Sequence, residues 1–341
     1  MKMKAMGLVA AMVAAILVGG CGDSGSASGT GGSPSASGGS GTKYRVAVIP
    51  KGATHEFWKS IRAGAEEAAA ESGGKVEVTW KGPQLENDRE SQIKTVEDFL
   101  NQGYSGIVLA PLDDKALVPV VKQANKNEIP VVIIDSGLNG GEYASFISTD
   151  NEKGGQLAGE EMVKRLGGKG RVVVLRYQEG SASTMAREKG FLDVMAKNPG
   201  ITVLDSSQYA GPTTETAQRA GENLLARFKK PDGSLDLEGI YTPNESSTFG
   251  MLRVLQDNKW AGKVKFVGFD SSEKLIDGLK NDEIDGLVLQ NPRKMGYLGV
   301  KTMLDVLEKK PVEKVVDTGA VLVTKANMSE PEVAKLLEAP K

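Results

Sequence analysis

The 341-residue chain is 40% hydrophobic and 25% charged with a net charge of −2, an ordinary globular composition with room for two domains. It has no basic excess of the kind that favours nucleic acid and no block of like charge. Its single cysteine excludes an intrachain disulfide and a thiolate metal site, and its single histidine, His55, excludes a HExxH zinc site or a Ser-His-Asp triad elsewhere.

The chain starts with Lys2 and Lys4, an uncharged run over 6–18 too short to span a bilayer, and small residues just before Cys21. This pattern predicts an export signal over 1–20 and resembles the bacterial lipoprotein box, with Val18 at the usual leucine position and Leu17 one residue further off. The resemblance implies cleavage before Cys21 and a diacylglycerol on its sulfur. The alternative is an ordinary secretory signal in which Cys21 is incidental. Lipidation would anchor the mature protein at an extracytoplasmic bacterial membrane face. Residues 21–42 are nearly all Gly and Ser, which predicts a flexible linker of about 25 Å r.m.s. length.

From Tyr44 onward, short β-branched runs alternate with longer helical patterns, the mark of βαβ units and parallel sheets. The first series predicts strands over 45–49, 76–80, 107–110 and 131–134. Its helices fall from 56, over 88–102 and over 115–125, the first carrying Phe57, Ile61, Ala65 and Ala68 on one face. The second series predicts helices over 151–166, 184–197, 213–229, 246–257 and 273–280, with strands over 171–175, 201–204, 239–242, 265–269 and 287–290. Asp232, Ser234, Asp236 and Glu238 alternate as calcium ligands do, but the loop lacks the turn glycine and reads as a solvated connector. Walker A, GxSxG and GxGxxG motifs are absent, and neither a cofactor nor a metal is expected.

The two series echo each other. Gly106-Ile107 leads through a strand to Pro111, as Gly239-Ile240 leads to Pro243, and in each series the next strand closes on Asp-Ser: Asp135-Ser136 and Asp270-Ser271. Ligands of open parallel sheets lie outside the carboxyl ends of the strands, so two facing sheets would present both pairs to one crevice. Taken singly, each aspartate also reads as a cap or turn residue.

Residues 44–325 resemble the ribose/galactose-type periplasmic binding proteins of ABC transporters. The resemblance is carried in order by KGATHEFW at 51–58, the strand ending in Asp135, TMAREKG at 184–190, Pro243-Asn244-Glu245, Gly268-Phe269-Asp270 and LQNP at 289–292. It implies a type I α/β architecture of two doubly wound parallel-sheet lobes joined by a three-segment hinge. The N-terminal lobe would comprise 43–149 plus 291–319 and the C-terminal lobe 150–290 plus 320–328, leaving a tail over 329–341. It further implies that Asp135, Arg187, Asn244, Asp270 and Gln290 contact ligand, with Phe57 and Trp58 against a sugar face. Phe57 equally fits the helix core, while Trp58 lies off the apolar stripe. His55 stands where the ribose-binding pattern has Asn and reads as either ligand contact or loop cap. Ser136 replaces an arginine, which puts ribose itself in doubt; Lys51, Ser136, Tyr177 and Tyr209 are further candidates.

The chemistry suits a polyol, because hydroxyls need carboxylates that accept, amides that do both and a guanidinium that donates. Hydrogen bonding to Arg187 is expected to keep both aspartates ionised, which favours binding over a glycosidase acid pair. The expectation is therefore a monomeric, non-enzymatic, lipid-anchored receptor that closes on a small sugar or polyol and delivers it to an ABC permease. The alternative is a sugar-sensing co-receptor for a chemoreceptor or histidine kinase. The effector domain of a repressor shares the fold, but an export signal occupies the place of its helix-turn-helix.

Overall fold

The computed structural model describes residues 43–337; the predicted signal, Cys21 and the Gly/Ser linker lie outside the described residues. The chain runs β1 (Tyr44–Ile49), α1 (Glu56–Glu71), β2 (Val76–Trp80), α2 (Arg89–Asn101), β3 (Gly106–Leu109), α3 (Val118–Lys126), β4 (Val131–Ile134) and β5 (Ser145–Ser148). It continues through α4 (Asn151–Leu166), β6 (Gly170–Val174), α5 (Ala182–Ala196), β7 (Ile201–Asp205), α6 (Thr214–Ala226), β8 (Gly239–Tyr241), α7 (Glu245–Asp257), β9 (Lys265–Phe269), α8 (Glu273–Lys280) and β10 (Gly286–Gln290). Last come α9 (Pro292–Leu307), β11 (Val315–Asp317), β12 (Ala320–Val323) and α10 (Pro331–Leu337).

The strands form two six-stranded sheets, ordered β11-β5-β4-β3-β1-β2 and β12-β10-β9-β8-β6-β7. All pairings are parallel except β10 with β12. The inner strands of each sheet are buried on both faces, which is why they read as continuous apolar runs, while the edge strands β2, β7, β11 and β12 are partly exposed. Along β1, Val46 and Val48 enter one core cluster while Ala47 and Ile49 enter the other. In β6, Val172 and Val174 face one cluster and Val173 the opposite one. Each fully buried Val or Ile contributes about 2 kcal/mol, so these alternating rows supply the driving force for both lobes.

The chain passes from one sheet to the other between β5 and α4, between β10 and α9, and between β11 and β12. After these crossings α4 packs on β9, β10 and β12, while α9 packs on α1 and the first sheet. Within residues 329–341, read from sequence as a tail, α10 buries Val333 in the core of the second sheet.

The predicted elements lie within three residues of their observed bounds, and the larger offsets have local causes. α3 starts three residues later than predicted because Asp113 Oδ1 accepts from the amides of Lys115 and Ala116, forming a turn first. The strands β5, β11 and β12 are absent from the elements expected above, since three or four residues are too few to show alternation, and the helices α9 and α10 are absent from them as well. The acidic loop near Asp232 is occupied by its own partners: Asp232 closes a turn on Ser234, while Asp236 and Glu238 pair with Arg171.

Candidate functional site

Each lobe holds one strand-tip aspartate by the same backbone device. Asp135 follows β4 with φ 62° and Asp270 follows β9 with φ 67°, both in the left-handed region. A non-glycine residue there costs on the order of 1 kcal/mol, and the surroundings must hold it. The hold is equivalent in the two lobes: the Asp135 amide donates to Ile147 O of β5 at 3.0 Å, and the Asp270 amide donates to Val288 O of β10 at 2.8 Å. Both side chains are buried, at 3% and 6% exposure. Asp270 senses the acid of the other lobe, since the charge of Asp135 is among the influences that raise its pKa.

Their partners differ. Lys51 Nζ lies 2.9 Å from Asp135 Oδ2 and reaches across to Ser183 Oγ at 3.0 Å and Ser181 Oγ at 3.4 Å, at the start of α5. The Ser183 amide donates to Ser136 Oγ at 3.1 Å. Asp270 accepts from Gln290 Nε2 at 2.7 Å and from the Glu245 amide at 3.0 Å. Burial is the largest influence on Asp270 and raises its pKa despite the opposing Arg187 and hydrogen bonds.

Arg187 is presented by the close packing of α4 on α5. A Cβ on Gly155 would stand 2.0 Å from Arg187 O, and one on Gly190 would stand 2.1 Å from Glu152 O, so only glycine permits this approach. The guanidinium donates to Asn151 Oδ1 at 2.7 Å and to Pro243 O at 3.0 Å, and lies 4.0 Å above the Phe269 ring. Its nearest approach to Asp270 is an ion pair at 3.8 Å. This corrects the expectation that hydrogen bonds from Arg187 keep both aspartates ionised: its bonds go elsewhere, and the Asp270 pKa rises.

On the N-terminal side, His55 is the N-cap residue of α1 but makes no side-chain cap. The orphan amides of Glu56 and Phe57 are instead capped from the other lobe, donating to the Glu245 carboxylate at 3.2 and 3.1 Å. Burial pushes the Glu245 pKa up to about 7 against the opposing pull of His55 and those two amides. His55 Nδ1 pairs with Glu86 Oε1 at 2.6 Å, and Trp58 Nε1 donates to the same oxygen at 2.7 Å. Across the cleft, Tyr177 OH donates to Glu86 Oε2 at 3.0 Å. Burial would lower the His55 pKa, yet Glu86, with Glu245 and Asp270 behind it, holds it up at about 9. Burial conversely would raise Glu86, and His55, Lys51 and Trp58 bring it down to about 2.

The structure thus gathers Lys51, His55, Phe57, Trp58, Asp135, Ser136, Tyr177, Arg187, Asp270 and Gln290 along the facing ends of the two sheets. Asn244 is beside them, but its Oδ1 is taken by the Ser247 amide and hydroxyl as the cap of α7. The Tyr209 ring lies under the Arg176 guanidinium at 4.7 Å. Phe57 and Trp58 both pack in the core of the first lobe; Phe57 also borders a cavity of about 760 Å³ shared with Glu245, Asp270, Gln290 and residues of α8 and α10, and the Trp58 indole bonds Glu86. His55 Nε2 and Gln290 Oε1 are buried without a hydrogen-bond partner, and Asp135 Oδ2 has only its ion-pair contact with Lys51. Sequence reasoning missed Glu86, Glu245, Asn151, Ser181 and Ser183. Of these only Glu245 sat in a quoted motif, and nothing in the sequence signals a cap that reaches across the cleft.

The family model described as a periplasmic binding protein domain matches residues 46–311. A D-ribose/D-allose-binding protein of Pseudomonas aeruginosa is 30% identical over 293 residues, covering 83% of this chain and 89% of its own. A solved ABC transporter solute-binding protein from Agrobacterium vitis, with bound D-fucose, is 35% identical with a TM-score of 0.82 over 86% of this chain and all (100%) of that one. A carbohydrate transporter solute-binding protein from Agrobacterium radiobacter, in complex with D-arabinose, is 35% identical with a TM-score of 0.81 over 87% and 99% of the two chains.

Proposed function

Because the chain belongs to the periplasmic binding protein family, we propose that its lobes close on one small sugar or polyol and deliver it to an ABC permease. The observation that carries this reading is the matched pair of buried, left-handed strand-tip aspartates, one in each lobe, facing a shared cleft. Carboxylates in that setting accept from hydroxyls, Gln290 donates and accepts, and the His55 and Lys51 cations donate. A well-made charge-assisted hydrogen bond contributes about 1.5–3 kcal/mol, and a buried group left unpaired costs a similar amount, so a ligand lacking one hydroxyl is rejected. A ligand that touches both lobes favours closure by its differential affinity, and the closed form is what a permease would recognise.

The ligands of these relatives, D-ribose or D-allose, D-fucose and D-arabinose, are neutral sugars and support a ligand of that class. Lipidation of Cys21 would keep the receptor near its permease and raise its effective concentration there. A thermal-shift screen of pentoses, hexoses, deoxysugars and polyols tests the reading. At least one should raise the melting temperature and bind in calorimetry with one-to-one stoichiometry. Failure of every sugar and polyol to do so overturns it.

A further inference from the structure

We propose that Glu86 is the positioning residue of the cleft, orienting His55 so that its Nε2–H faces the ligand as a fixed charged donor and tying that donor to the other lobe through Tyr177. This rests on the ligand-binding reading above and names what one part of that site demands.

Glu86 lies in the loop between β2 and α2 and is 4% exposed. Its two carboxylate oxygens take three donors: His55 Nδ1 at 2.6 Å and Trp58 Nε1 at 2.7 Å on one, Tyr177 OH at 3.0 Å on the other. Its backbone carbonyl accepts a fourth, from Gln178 Nε2 at 2.8 Å. His55 and Trp58 come from the entry to α1 in the first lobe, whereas Tyr177 and Gln178 follow β6 in the second. One carboxylate therefore joins two cleft residues to a bond that exists only when the lobes are together.

The consequence for His55 follows from which nitrogen is engaged. With Nδ1–H given to a carboxylate, the remaining Nε2 decides what the imidazole offers the cleft. That atom is buried and has no partner. The charged groups facing the ring are Glu86 from the β2–α2 loop, Glu245 from the start of α7 and Asp270 from the tip of β9; Lys51, from the loop before α1, acts on Glu86. The anions keep the ring protonated, so Nε2 carries a hydrogen. A buried charged N–H without an acceptor is unfavourable until a ligand oxygen supplies one. The ligand must place a hydroxyl or ring oxygen there, and a deoxy carbon or an ammonium at that point is rejected.

His55 is the only histidine, so its imidazole resonances need no assignment. In the wild-type protein the ring should stay protonated through pH 8, and its Nε2 resonance should shift when the sugar found by the screen is added. Glu86→Gln keeps the shape and removes the charge. Its titration midpoint should fall by more than one unit, and ligand affinity should drop about tenfold at pH 7.5 with the loss shrinking toward pH 5.5. Tyr177→Phe keeps the His55–Glu86 pair, so it should weaken binding several-fold equally at every pH. A wild-type ring titrating near 6.5, or a Glu86→Gln protein with unchanged affinity and pH profile, overturns the proposal. The wild-type titration answers even if Glu86→Gln does not fold. If no sugar binds while the ring still titrates high, the ligand reading has failed and the pairing stands.

Discussion

The two lobes are built on one plan, yet they treat their strand-tip acids differently. Asp135 and Asp270 each follow the fourth strand of their own series, share a left-handed backbone and anchor their amides on the fifth. Around Asp135 the balance is ionic, with an ammonium 2.9 Å away. Around Asp270 it is a neutral amide and a backbone N–H, with the nearest guanidinium at 3.8 Å. The backbone device fixes where a carboxylate stands, and the neighbouring loops decide which partners it meets.

The largest expected effect is that of Arg187→Ala. The guanidinium joins α5 to Asn151 and Pro243 and covers Phe269, so its loss should lower folding stability by about 3–5 kcal/mol as well as weaken binding. Urea unfolding and calorimetry on the same protein measure both, and a change in neither would remove Arg187 from the comparison. Next in size is the contrast between the acids. Asp135→Asn strands a buried Lys51 ammonium and should cost about 3 kcal/mol, whereas Asp270→Asn, at a group already pushed toward neutrality by burial, should cost about 1 kcal/mol. Equal losses would show that the two acids are balanced alike.

A smaller effect is the pH dependence of stability. Glu245 has a raised pKa, so its contribution is full below 4.5 and is lost as pH rises through about 7. His55 is raised also, and its contribution is full below 6.5 and is lost as pH rises through about 9. Glu86 is depressed, and its contribution is lost as pH falls from 4.5 through about 2. Denaturation midpoints should therefore decline from about pH 4.5 to pH 9, and Glu245→Gln should flatten the first part of that decline only. The smallest effect is that of Tyr209→Phe, which should leave ligand affinity within twofold because the ring keeps its packing against the Arg176 guanidinium when the hydroxyl is removed. A tenfold loss would bring it back into the site.

Much of the architecture was legible because doubly buried strands and amphipathic helices leave different periods in the sequence. The aspartate echo was legible because both lobes repeat the same strand-to-loop transition. Glu86 was not, since a glutamate in a polar loop carries no period and gains its meaning from Tyr177, on the other lobe. Glu245 sat in a recognised turn, yet its carboxylate is used on amides that lie 188 and 189 residues away along the chain. The helix-face argument that put Trp58 ahead of Phe57 considered only one helix. The Glu86 oxygen that accepts from the Trp58 indole comes from the β2–α2 loop, which no pattern along α1 contains.

The most direct test is a crystal structure of the protein with the best sugar or polyol from the screen. A single ligand is expected, with oxygens about 3 Å from carboxylate oxygens of both Asp135 and Asp270. Density bounded by only one lobe, with the other aspartate touching nothing but protein, would contradict it.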